Sequence, residues 1–120
     1  SGFLLQRRAD TGKFAFMLPN QDSAGASGAV ASSKTVPVKG KWYRLVGVRD
    51  ALSRRLRLYV NGVLEGEAGI NHAWWASGHT VIGRAMRAGK PVDFWPGAID
   101  DVRLYDRALS RAEIRRLPSR

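Results

Sequence analysis

The 120-residue chain has no cysteine. That removes disulfides, thiolate metal sites and a cysteine nucleophile, and says little about compartment. Histidine is scarce. Only His72 and His79 occur, neither beside an acid in sequence, so no Ser-His-Asp set is visible. Acids are also few, 10 Asp plus Glu against 20 Lys plus Arg. No apolar run approaches the length that spans a bilayer, so membrane insertion is not expected. No signal peptide is visible at Ser1 and the chain opens in mid-pattern, as a fragment of a larger protein would. Repeats, low-complexity tracts and a second domain are missing too. The expectation is one domain over residues 1–120, large enough for a single core.

What is present is positive charge, a formal net +10. Such a surface favours polyanions: nucleic acid, sulfated or uronic glycans, or acidic membranes. The arginines are scattered rather than gathered into one run, so a solvated basic surface is the plainer reading. Two groups stand out. Arg54, Arg55 and Arg57 lie on one hairpin, and Arg111, Arg115 and Arg116 on a terminal helix. Either could meet sulfate, uronate or phosphate with forked bonds. Nothing matches a helix-turn-helix, zinc finger or RNA-recognition motif, so nucleic acid is not an expected partner.

The pattern along the chain is that of short strands. Residues 3–6 and 14–18 read as two strands joined by a turn, with Phe14, Phe16 and Leu18 on one face. Residues 20–34 are poor in large apolar side chains and read as a long surface loop. Residues 35–38 suit a short edge strand interrupted by Pro37. From 42 to 48 the sequence alternates, with Trp42, Arg44, Val46 and Val48 together. From 54 to 60 it alternates again, with Leu56, Leu58 and Val60 inward and Arg55, Arg57 and Tyr59 outward. Asn61-Gly62 is a strong signal for a type I′ hairpin turn. Residues 69–78 form a loop carrying His72, Trp74 and Trp75. Residues 80–83 read as a strand and 85–91 as a basic loop.

The stretch 97–117 is the most explicit. Residues 99–105 alternate and predict a half-buried strand, with Asp100, Val102 and Leu104 on one face. Ser110 and Glu113 then form a capping box, flanked by Leu109 and Ile114 as a hydrophobic staple, and Pro118 ends the helix. About seven short strands and one helical turn predict an all-β, antiparallel β-sandwich.

These motifs, GAIDDVRLYDRALSRAEI at the end, WYRLVGVRD with LRLYVNGV in the middle and TVIGR between, resemble laminin G-like domains of the concanavalin A-like lectin/glucanase superfamily. The resemblance covers about two thirds of the chain and keeps the motifs in order. It implies a jelly-roll sandwich and an extracellular or cell-surface setting in a larger protein. It also implies strands ahead of Phe3 that this chain lacks, leaving sheet edges open to pairing in a homodimer. Trp42 and Trp95 occupy positions that the family uses for packing. Relatives often hold one calcium at the sandwich rim, so the resemblance makes Asp100 a candidate calcium ligand; its plainer role is to bond backbone amides.

Enzymes share this fold, but glycoside hydrolysis needs two carboxylates at a set separation. Asp100 and Asp101 are adjacent on one strand and point to opposite faces. Glu65 and Glu67 share a face after a hairpin. A non-enzymatic role is therefore expected. Exposed tryptophans stack on sugar rings, so Trp74 and Trp75, with His72, are the candidate carbohydrate-binding residues; the alternative is that both cap the end of the sandwich. The sequence thus points to a recognition module for carbohydrate or glycoprotein. The alternatives are a structural module packed on neighbouring domains of its parent protein, and a polyanion binder using Arg54, Arg55 and Arg57.

Overall fold

Alternating apolar side chains give two sheets one greasy face each, and those faces meet. The structure is a computed structural model that describes residues 2–23, 27–70, 77 and 79–118. The first sheet has antiparallel order β1 (Leu4–Arg7), β2 (Phe14–Pro19), β3 (Gly28–Ser32). The second, also antiparallel, runs β4 (Leu45–Asp50), β5 (Arg55–Val60), β6 (Val63–Gly69). Between them lie Phe14, Phe16, Leu18 and Ala31 against Leu56, Leu58, Val60 and Ile70. Leu56 and Leu58 are fully buried. Each side chain contributes roughly 1.5–3 kcal/mol of apolar burial. Ser33 is the buried polar exception. Its hydroxyl accepts from Phe14 N at 3.0 Å and donates to Thr35 O at 2.7 Å, so it is satisfied. The expected all-β antiparallel sandwich is what the chain forms.

The second sheet is covered on its outer face as well. The helix α1 (Arg111–Arg115) starts at the predicted capping box: Glu113 N donates to Ser110 Oγ and Ser110 N to Glu113 Oε1. Five residues do not hold a helix in water by propensity. Docking does, through fully buried Ile114, which packs with Leu109 on Val48 and Tyr59. Tyr59 was expected to face outward; it does leave the inner core, but α1 covers it. The Asn61-Gly62 turn has φ values of 51° and 82°, the left-handed pair that a type I′ turn requires.

Other expectations need correction. Residues 99–105 form no strand: Asp101 breaks the extended run with φ of 52°, and no neighbouring strand pairs with the segment among the described residues. All seven residues are exposed, so the alternation there has no core to face. Residues 80–83 likewise form no strand among the described residues; Gly83 O instead accepts from Trp95 N at 2.7 Å. The basic loop 85–91 is instead a small hairpin, β7 (Ala85–Arg87) with β8 (Lys90–Val92), turning at Ala88 and Gly89 with positive φ. The long loop 20–34 contains β3, whose small side chains hid it. Residues 35–38 are not a strand. Trp42 lies ahead of β4 and is 49% exposed, not core, whereas Trp95 does pack on the core.

Candidate functional site

The sequence-predicted site residues fall in three places. His72, Trp74 and Trp75 lie outside the described residues; in sequence they follow Ile70, which is buried between the sheets. Asp100 is exposed, and its Oδ1 accepts from Asp101 N at 2.8 Å, the local amide bond its plainer reading implied. Calcium needs six to eight oxygens. Among the described residues no group of three or more His, Asp or Glu side chains could hold a metal, so none of them builds a carboxylate cage around Asp100.

The hairpin arginines are engaged. Arg57 Nη1 bonds Asp50 Oδ2 at 3.1 Å, and Arg55 Nε bonds Glu67 Oε1 at 2.9 Å. The pairing register explains this, because Arg57 sits opposite Glu67 on β6 and opposite Val48, two residues from Asp50, on β4. Arg54 is the exposed member, at the β4–β5 turn with φ of 55°.

Asp50 and the Glu65/Glu67 pair are engaged as well. Asp50 closes the β4–β5 turn, accepting from Leu52 N and Ser53 N. The Ser53 amide, then Arg57, hold its carboxyl below the ordinary range. Burial pushes Glu65 upward, but the Thr35 amide and hydroxyl and the Lys34 amide outweigh it, and the net shift is downward. Arg55 lowers Glu67. Every one of these shifts favours the ionised form, the opposite of what a general acid needs. Both members of the Glu65/Glu67 pair are bonded to protein groups.

A site that the sequence reading did not assemble lies on the outer face of the second sheet. Arg44, Asn61, Gly62, Val63, Leu64, Arg111 and Arg115 line a solvent-open cleft of about 270 Å³. Arg44 is anchored by its backbone, which donates to Asn61 Oδ1 at 2.9 Å and accepts from Asn61 N at 2.8 Å. Its Nη1 donates to Leu117 O, tying the end of the helical segment to the hairpin. Among the described residues its buried Nε has no hydrogen-bond partner. Arg111 and Arg115 are four residues apart and so share one face of α1. Among the described residues no carboxylate pairs with Arg44, Arg111 or Arg115, unlike Arg107, which bonds Glu113 at 2.8 Å. The sequence signal was there in part, since Arg44 alternates in phase with Val46 and Val48 and therefore takes their face. That α1 docks on the same face is tertiary information.

Comparison with known proteins agrees with this fold. One solved chain, the S-layer domain-containing protein of Clostridium thermocellum, matches with a TM-score of 0.56 at 24% identity, over 88% of this chain. The chain spans about half of that structure, 51% of its length. No curated protein matches. A laminin G family model covers residues 1–115, all but the last five. The chain belongs to that laminin G family of the concanavalin A-like lectin/glucanases superfamily.

Proposed function

We propose that this domain is a non-catalytic recognition module of a larger surface protein and that its ligand is carbohydrate. The superfamily contains both sugar binders and sugar hydrolases. The observation that favours binding is the state of the acids: Asp50, Glu65 and Glu67 all sit in structural bonds with lowered proton affinity. A hydrolase needs one carboxyl that keeps its proton. The sugar-stacking role of Trp74 and Trp75, with His72 beside them, belongs to this reading.

A glycan array, run with calcium and with a chelator, tests it. Binding by the wild-type chain, lost in W74A/W75A with an unchanged melt, supports the proposal. Release of reducing ends from any bound polysaccharide overturns it. A hit lost on chelation gives Asp100 a calcium role; a hit that survives leaves calcium out.

A second reading, a structural module that pairs with another chain, is favoured by one specific observation. Ile99, Val102, Leu104 and Tyr105 are large, exposed and on backbone that pairs with no strand among the described residues, with Leu104 70% exposed. Sheet-forming sequence without a partner tends to find one. A monomer by light scattering across the accessible concentration range excludes self-pairing.

A further inference from the structure

We infer that the cleft between the Asn61-Gly62 turn and α1 is an oxyanion subsite, taking one carboxylate or sulfate carried on a sugar. This rests on the carbohydrate reading above and deepens it.

Charge is the first support. Three guanidiniums line the cleft, and no described carboxylate pairs with any of them. Several arginines elsewhere are answered by acids: Arg8 by Asp10, Arg55 by Glu67, Arg57 by Asp50, Arg103 by Asp101 and Arg107 by Glu113. In a chain with twice as many cations as acids, some arginines must go unpaired. That three of them, Arg44, Arg111 and Arg115, line one concavity is the informative fact.

Preorganisation is the second. Arg44 is held by the turn on one side and by Leu117 O on the other. A Cβ at Gly62 would stand 3.0 Å from Arg44 Nη2, so the guanidinium lies close under the turn. Arg44 thus offers a fixed donor, and Arg111 and Arg115 two adjustable ones. Guanidinium and oxyanion match as fork to fork. The five-residue helix contributes side chains only; its own dipole is too short to matter.

Size is the third. About 270 Å³ lies just below the roughly 300–1,000 Å³ of small-molecule sites. The cleft therefore fits one charged sugar unit, not an oligosaccharide. Val63 and Leu64 offer it an apolar wall.

The test measures binding of three polymers to the chain by calorimetry: polygalacturonate for carboxylate, dextran sulfate for sulfate and unmodified dextran as the neutral control. Variants are R111Q/R115Q, R44K and, as a charge control away from the cleft, R54Q. At least one acidic polymer binds, and R111Q/R115Q weakens it 10-fold or more, while R54Q changes it less than about twofold. Arg111 and Arg115 are exposed, so their loss leaves the melt intact. R44K keeps the charge and removes the fork, and weakens binding at least threefold. Which acidic polymer is held more tightly distinguishes carboxylate from sulfate. Equal losses in R54Q and R111Q/R115Q would make the attraction diffuse and overturn the subsite. Wild-type affinity in R111Q/R115Q overturns it also. Binding of neutral glycans on the array but of neither acidic polymer overturns the subsite and leaves recognition standing. No binding to any glycan overturns both.

Discussion

Replacing Gly66 by alanine tests how the two sheets approach each other. A Cβ on Gly66 would stand 2.2 Å from Ser32 O, 2.8 Å from Ser32 N and 2.9 Å from Ser32 C. Comfortable non-bonded carbon contacts are about 3.5–4.0 Å, so β3 would have to retreat by roughly 1 Å. It cannot do so alone. It pairs with β2 over Ala15 to Pro19, and Ala31 is wholly buried in the core. Moving it therefore opens the sandwich. Two glycines on the same sheet calibrate the effect. A Cβ on Gly47 meets the Phe16 ring at 2.7 Å, a side chain that can shift, and overpacking of that kind costs about 1–3 kcal/mol. A Cβ on Gly69 meets only Arg55 Nη1, at 3.8 Å, so Gly69→Ala stays within about 0.5 kcal/mol of wild type. Gly66→Ala, against rigid backbone, costs more than about 3 kcal/mol. At this chain length each kcal/mol is about 3–5 °C in Tm, so its melt falls by roughly 10 °C or more. Urea melts of the three variants give the order. If Gly66→Ala loses less than Gly47→Ala, the close approach of β6 to β3 is wrong.

Acid should release α1 before it unfolds the sandwich. Arg107, then the Ser110 amide, hold the Glu113 carboxyl down at about 2, below its ordinary 4.5. A depressed carboxyl stabilises above its unfolded value and loses that effect as pH falls, so docking weakens between about pH 4.5 and 2 and Glu113→Gln removes the dependence; circular dichroism against pH reads both. Ile114→Ala removes a fully buried side chain and costs about 2–5 kcal/mol of docking, seen as weaker protection of Tyr59. Ser33→Ala leaves Phe14 N without its side-chain acceptor in the interior, for a loss of about 1–3 kcal/mol in a denaturant melt.

Where chemistry is local, the sequence was a good guide. The Ser110 and Glu113 cap, the Asn61-Gly62 turn and the inward row Leu56, Leu58, Val60 all depend on residues close in the chain. β3 escaped notice because Gly28, Ala29 and Ala31 carry little β-forming signal, yet Ala31 is small enough to be wholly buried against the other sheet. The β7–β8 turn uses Ala88 at positive φ, where asparagine would have announced it. Residues 99–105 failed in the other direction: the alternation is plain, but a strand needs a neighbour, and no local pattern supplies one. The arginine cleft joins residues 44, 61–64, 111 and 115. Only the docking of Ile114 brings the last group in, and no spacing rule spans that distance.

The double coverage of the second sheet divides this domain into tiers of opening. Amides of β5 lie between β4 and β6, with an apolar core on one side and α1 over part of the other, and should exchange with solvent only on global unfolding. Amides of residues 99–105 should exchange almost at once. Any molecule that engages that segment can raise its protection by many orders of magnitude while leaving the sandwich unchanged, so deuterium uptake becomes a direct reporter of what the domain touches.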